Sequence, residues 1–254
     1  MTALALVLAL LVGCESDSFT DVQKADSIEA YEGFAQRNPG SIYQPEIDGR
    51  LEQLYFDKAE AENTAAAWKA IIEKYPKSKK IEKANAGLAT FLFEEARKTD
   101  TLDGWKSFLA DAKALTDDQR RLAEGRTKVL EYGKLEVGAP NVMQINLAED
   151  PAGPKNGWGL EVEVKNNGDQ ALGYLLLEVT LNGPDGAELE RARYPMVSPK
   201  NPMPHPEIEE KPLAPAEARK WSFMSAKVPI EVTPTATVRA VALTVASAPA
   251  EPPK

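Results

Sequence analysis

Several residue types that support catalysis or cross-linking are scarce in this 254-residue chain. It has one cysteine, Cys14, and one histidine, His205. A single cysteine excludes a disulfide within one chain, so packing alone must stabilise the fold. A single histidine excludes a site in which two histidines chelate a metal, and it leaves a His-based triad with one candidate base. We therefore predict a protein that is not an enzyme and that needs no cofactor and no metal.

Positive charge is also in the minority. The chain has 30 Lys and Arg residues against 39 Asp and Glu residues, a net charge of −9. No basic stripe is present to neutralise phosphates, which argues against nucleic-acid binding. Glycine-rich phosphate loops and Gly-x-Ser-x-Gly elbows are absent as well. A hydrolase that uses carboxylates alone stays open as an alternative, because acidic residues are plentiful.

Long apolar runs are missing except at the start of the chain. A membrane-spanning helix needs about 20 apolar residues, and the run from Ala3 to Gly13 has roughly half that length before Cys14 and acidic Glu15 end it. Its length, and small Gly13 at its end, are typical of a secretory signal. No Lys or Arg precedes the run. The alternative interpretation is a buried N-terminal helix that carries an incidental cysteine.

The segment Leu11-Val12-Gly13-Cys14 resembles the lipobox of bacterial lipoproteins. This resemblance implies that residues 1–13 are a signal peptide, that Cys14 is the lipid attachment point, and that residues 14–24 are a flexible acidic tether. It places the protein in the cell envelope, bound to a membrane through lipid. In such proteins the best-known inner-membrane signal is an aspartate after the cysteine, so Glu15 favours the outer membrane.

Residues 25–138 contain a repeat. Tyr31, Trp68 and Trp105 are 37 residues apart (68 − 31 and 105 − 68). Ser27, Thr64 and Thr101 keep the same register four residues earlier, where a hydroxyl can cap the start of a helix. Prolines follow the first two helices and end them. Each unit therefore predicts a helix, a turn and a second helix, the latter over Pro45–Glu62, Ser78–Lys98 and a segment opened by the capping box Thr116–Gln119.

The clearest stretch of this repeat, Ala66 to Ser78, resembles the tetratricopeptide-like helical hairpin repeats of bacterial envelope lipoproteins. The resemblance implies a helical solenoid that offers surfaces to proteins or peptides. We expect the aromatic residues of the repeat to be core residues, because regular apolar spacing is first a packing signal.

Residues 139–247 change from helical periodicity to alternation. Leu160, Val162 and Val164 alternate with charged residues, and a second alternating run follows from Leu175 to Leu181. Turn sequences separate six or seven short strands, which predicts a β-sandwich. The stretch Val162 to Leu172, together with Asn182–Gly186 and Leu213–Glu217, resembles the immunoglobulin-like modules of secreted and envelope bacterial proteins.

A proline-rich excursion follows the predicted strand that ends at Tyr194. It covers residues 195–215, includes His205, and is expected to stay out of the sheet because prolines cannot donate to a ladder. It is either a binding loop or a solvated connection. Residues 248–254 are expected to be a disordered tail.

Together these features predict an all-α repeat domain followed by an all-β domain, in an envelope lipoprotein that acts as a non-enzymatic scaffold or adaptor for protein partners. The alternative is a lipoprotein that binds peptidoglycan or another glycan, through Trp158, Tyr174 or Trp221 if any of these side chains faces solvent. A hydrolase and a structural lipoprotein with nonspecific contacts are the further possibilities.

Overall fold

The computed structural model describes residue 16 and residues 18–147, 156–199 and 209–246. Helices occupy the N-terminal part, and antiparallel sheets follow. Within these ranges the helices are α1 (18–25), α2 (Ile28–Arg37), α3 (Gln44–Glu62), α4 (Ala65–Lys74), α5 (Ile81–Thr99), α6 (Leu102–Asp111) and α7 (Asp117–Tyr132). Among the residues described, no helix combines the length and the apolar character that a bilayer crossing requires.

The predicted helix caps are confirmed. The side chains of Ser27 and Thr64 each accept a hydrogen bond from the backbone N–H three residues later, and Thr101 does the same at 3.1 Å. Thr116 and Gln119 form the reciprocal capping box at the start of α7. These bonds satisfy backbone donors that would otherwise lack a partner in the first turn of each helix.

Three residues immediately before these caps share an unusual backbone conformation. Asp26, Asn63 and Asp100 have φ angles of 44°, 44° and 48°, in the left-handed region that Asp and Asn tolerate better than most residues. Asn63 accepts a hydrogen bond from the indole N–H of Trp68 at 3.0 Å, and Asp100 accepts one from Trp105 at 2.9 Å. The sequence signal for these positions was an Asp or Asn directly before each capping hydroxyl, and our sequence interpretation missed it.

The N-terminal residues of the chain's described part are not a tether. Helix α1 buries Phe19 and Val22, and the Phe19 ring stacks on Tyr43 with centroids 4.2 Å apart. The expectation of an unstructured segment over residues 14–24 is therefore wrong from residue 18 onward. A helix forms here because Phe19 and Val22 are three residues apart, which puts both side chains on one helical face that can be buried.

The repeat aromatics are core residues, as expected. Tyr31, Trp68 and Trp105 are all buried. Trp68 packs under Gly87 of α5 so closely that a Cβ at this glycine would lie 2.6 Å from the indole ring. Glu32, Tyr55 and Lys74 link α2, α3 and α4, because Glu32 accepts hydrogen bonds from both other side chains.

In the part of the chain that the structure describes, seven strands build two antiparallel sheets. They are β1 (Leu135–Val137), β2 (Asn141–Asn146), β3 (Asn156–Asn166), β4 (Leu172–Asn182), β5 (Glu188–Val197), β6 (Ala218–Ser225) and β7 (Thr235–Val245). In the first sheet β1, β2 and β6 all pair with β3, and in the second sheet the order is β5-β4-β7. The predicted alternation is confirmed, because the inward residues of β3 and β4 share one apolar core with Trp158, Trp221 and Leu213.

The proline-rich excursion begins later than predicted. Pro195 pairs with Leu176, and Val197 pairs with Leu175, so β5 continues to Val197. The expectation that residues from 195 onward stay out of the sheet is wrong at this end. The reason is that β5 is an edge strand, where the missing N–H of a proline is tolerated.

The compact units divide the chain before the predicted boundary at residues 138 and 139. One unit is Met1–Lys98 with Ala110–Leu115, and the other is Thr99–Leu109 with Thr116–Lys254. Helix α7 and most of α6 thus belong with the sheets. Gly125 of α7 lies so close to β7 that a Cβ would be 2.5 Å from the Val241 carbonyl oxygen.

Candidate functional site

One predicted site lies outside the described residues: the lipid-attachment Cys14, with the lipobox residues Leu11, Val12 and Gly13. The sole histidine, His205, lies outside them as well. The tail at residues 248–254 also lies outside them. The predictions for these segments stay predictions.

The three aromatic residues suggested for glycan binding differ in how deeply they are buried. Trp158 and Trp221 are buried in the core between the sheets, and the indole N–H of Trp158 donates to the carbonyl oxygen of Pro229 at 3.2 Å. Neither ring is available as a platform for a sugar. Tyr174 is only partly buried. Glycan binding therefore stays a prediction that rests on Tyr174.

Six charged side chains of alternating sign form a network that joins α7, the second sheet and the residue before the cap of α6. They are Asp118, Arg193, Glu178, Arg239, Asp100 and Arg126. Arg193 of β5 donates to Glu178 of β4 at 2.8 Å and to Asp118 of α7 at 2.9 Å. Arg239 of β7 donates to the other Glu178 oxygen at 2.7 Å. The side chain of Glu178 is fully buried. Such a carboxylate is stable in the interior only because two guanidinium groups compensate its charge.

The same series of charges continues to the start of α6. Arg126 of α7 donates to both carboxylate oxygens of Asp100, at 2.8 and 2.7 Å, and its third nitrogen donates to the Ala240 carbonyl oxygen of β7 at 2.6 Å. Arg239 lies 3.9 Å from Asp100. These contacts connect α6, α7 and the sheet, and neither sequence periodicity nor repeat matching indicated them.

The pKa values of this network follow from its geometry. Burial would by itself raise the pKa of Asp100, but hydrogen bonds from Arg126 and Trp105 and the nearby guanidinium charges hold that pKa below its ordinary value. Burial would lower the pKa of Arg193, yet its hydrogen bonds to Glu178 and Asp118 raise it. Asp100 and Arg193 are therefore charged at neutral pH.

A groove opens beside this network, between α7 and the second sheet. It has a volume of about 340 Å³, and its lining combines apolar and polar side chains: Asp118, Arg121, Leu122, Tyr174, Leu176, Arg193, Val241 and Ala242. Burial raises the pKa of Tyr174. All of these residues belong to one compact unit. We refer to this feature as the sheet groove.

A second, smaller depression lies on the helical hairpins. Ala66, Ala67 and Ala70 of α4 face Tyr55, Lys58 and Glu62 of α3 around a space of about 170 Å³. The small side chains of α4 leave this surface open. We refer to it as the hairpin groove.

No candidate metal site is present in the described ranges. No group of three or more His, Cys, Asp or Glu side chains there is placed to hold an ion. His205 lies outside these ranges.

Comparisons with known proteins do not show a family for the chain. No family model matches it, and no curated protein matches it. Two solved structures are similar at 11% identity: an X-ray structure of a Northeast Structural Genomics Consortium target, SoR45, and the alkylpurine DNA glycosylase AlkC of Pseudomonas fluorescens bound to DNA containing an abasic site analog.

The extent of these two likenesses differs. The first covers 47% of this chain and 90% of the other, with a TM-score of 0.27. The second covers 74% of this chain and 53% of the other, with a TM-score of 0.34. At these TM-scores the likeness supports neither a shared fold nor a shared function.

Proposed function

We propose that the chain is a lipid-anchored protein of the bacterial cell envelope that binds protein partners and catalyses no reaction. The helical hairpins provide the main partner surface. The compact unit that contains both sheets, which we call the β unit, provides a second contact or a spacer. Lipid on Cys14 holds the protein at a membrane, the outer membrane being favoured by Glu15.

The observation that carries this proposal is the threefold recurrence of one local structure. Asp26, Asn63 and Asp100 each adopt the left-handed conformation before a capping hydroxyl, and a buried aromatic ring follows five residues later. This recurrence supports a tetratricopeptide-like hairpin with a 37-residue period. Hairpins of this type mainly present extended surfaces to other polypeptides.

The two antiparallel sheets around one core support the finer proposal of an immunoglobulin-like module. A sandwich of this kind hosts many unrelated functions, so this fold does not indicate which ligand the sheets would bind.

We assign the hairpin groove as the partner-binding surface. Ala66 is exposed and Ala70 is partly buried. Because both side chains are small, the neighbouring side chains of α3 stay accessible in the groove. Lys58 and Glu62 at its rim carry opposite charges and lie 3.8 Å apart. A polypeptide segment that inserts a small apolar side chain over Ala70 fits this arrangement, with polar groups directed to the rim.

The test compares two arginine substitutions by in-cell crosslinking and mass spectrometry of the membrane-anchored protein. Ala70→Arg fills the hairpin groove and is expected to remove partner recovery. Ala61→Arg, at an exposed position of α3, is the matched control and is expected to leave recovery unchanged. Equal recovery with both variants would refute the assignment of this surface.

Point variants are better suited to this test than deletion of the helical region. Removing residues 27–136 would also remove α7, whose Arg126 and Gly125 contact β7. The remaining sheets would lose the helix that covers Glu178, and loss of binding would then have two explanations.

A further inference from the structure

The sheet groove has the features of a built ligand site. Its volume of about 340 Å³ lies within the range of about 300–1,000 Å³ that is usual for small-molecule pockets. Leu122, Leu176, Val241 and Ala242 supply an apolar surface. Three side chains that are able to donate hydrogen bonds, Tyr174, Arg121 and Arg193, line the same space.

These donors exceed the acceptors that the protein offers them. Within the described ranges, no hydrogen bond is formed by the hydroxyl group of Tyr174, and burial is the one cause of its raised pKa. Arg193 uses its Nε and Nη1 atoms toward Glu178 and Asp118, and its Nη2 atom has no partner among the described residues. Neither atom is among the described side-chain atoms that are fully buried without a partner, so both are accessible and can donate to a group bound in the groove.

The charges beside the groove favour an anion. Arg121 is 77% exposed, and its ion pair with Asp118 is long at 3.9 Å. Asp118 is held more closely by Arg193, at 2.9 Å. Glu178 is fully buried and its oxygens already accept from Arg193 and Arg239. Asp118 is thus the one carboxylate in the lining, and it is shared between two guanidinium groups.

We propose that the sheet groove binds a small monocarboxylate with a compact apolar body. One carboxylate oxygen accepts from the Tyr174 hydroxyl, and the other accepts from Arg121 or from the Nη2 atom of Arg193. The apolar body covers Leu176 and Ala242. This site lies in the β unit and does not depend on partner binding by the hairpins.

The test titrates 3-phenylpropanoate into the full 254-residue chain and follows binding by calorimetry and ligand-observed NMR. The primary amide of the same acid is the neutral control. Loss of the charged hydrogen bonds is expected to weaken binding of the amide about tenfold. Equal affinity for the acid and the amide would overturn the proposal.

Three variants locate the site. Tyr174→Phe keeps the ring and removes the hydroxyl, and Arg121→Gln removes the exposed cation; each is expected to lower the affinity for the acid about five- to tenfold. Arg120→Gln removes an exposed charge one residue away on α7 and is expected to leave the affinity unchanged. Far-ultraviolet circular dichroism checks that each variant is folded. Undiminished affinity in folded Tyr174→Phe and Arg121→Gln proteins, or no binding of the acid to the unchanged chain, would refute the site.

Discussion

Arg126 of α7 donates hydrogen bonds to both carboxylate oxygens of Asp100, the residue that precedes the cap of α6. Asp26 forms the equivalent pair with Arg50, at 2.7 and 2.5 Å, but in a much more exposed environment. The side chains of Asp100 and Arg126 are 26% and 13% exposed, whereas those of Asp26 and Arg50 are 41% and 38% exposed. We therefore expect the Asp100–Arg126 pair to contribute more to the free energy of unfolding than the Asp26–Arg50 pair.

We predict that Asp100→Ala lowers the free energy of unfolding by about 2–4 kcal/mol, because it leaves a largely buried guanidinium and the Trp105 N–H without their acceptor. Asp26→Ala is the matched control, and its loss is expected to be smaller because water solvates the exposed Arg50. Urea unfolding of the two variants measures the difference. A loss at Asp26 equal to that at Asp100 would contradict this assignment.

Acid should weaken the structure in part through Asp100. Its pKa is lowered in the folded protein from the ordinary value of 3.8. The unfolded chain therefore takes up this proton at a higher pH, and the stabilisation is present above about pH 4 and is lost as the pH falls through the folded-state pKa. The free energy of unfolding should decrease between pH 5 and pH 2.5.

The Asp100→Asn variant isolates this contribution. It cannot titrate at this position, so its unfolding free energy should fall less steeply with acid than that of the unchanged chain. Glu32 and Glu217, whose pKa values are also lowered by hydrogen bonds, remain in both proteins and set the common background. Parallel pH profiles of the two proteins would show that Asp100 contributes nothing.

Two glycines in helices should respond in opposite directions to alanine. A Cβ at Gly125 would lie 2.5 Å from the Val241 carbonyl oxygen and 2.8 Å from the Ala242 Cβ, whereas a Cβ at Gly49 of α3 meets nothing within 4 Å. Gly125→Ala should destabilise the protein by about 1–3 kcal/mol through overpacking. Gly49→Ala should stabilise it by about 0.5–1 kcal/mol through helix propensity.

Thermal unfolding measures both variants, and hydrogen exchange locates the effect. Amides of α7 should exchange faster in Gly125→Ala, because the helix is displaced from β7. If Gly125→Ala is as stable as the unchanged chain, α7 does not pack on the sheet as described.

The order of helices and strands could be predicted from local patterns. Capping hydroxyls, prolines and alternating apolar residues act over a few positions, so the starts of α2, α4 and α7 and the inward faces of β3 and β4 were correct. The attachment of α7 to the sheet could not be predicted, because it depends on contacts between residues far apart in sequence, such as Arg126 with Ala240.

The sheet groove illustrates the same distinction. Tyr174 was singled out as a candidate for glycan contact, but nothing in its neighbourhood along the chain indicates Arg121 or Arg193. These side chains come together because α7 packs on β7, beside β4 and β5. Trp158 and Trp221 were equally good candidates for glycan contact from the sequence. The alternation of side chains along their strands places both in the core.

The most direct test of the proposed function is in-cell crosslinking of the full chain, with affinity recovery and mass spectrometry, beside a Cys14→Ser version that lacks the attachment point. A lipid-anchored partner-binding protein should recover one or two envelope proteins with the unchanged chain and lose them with Cys14→Ser. Recovery of no protein above the Cys14→Ser background would contradict the account.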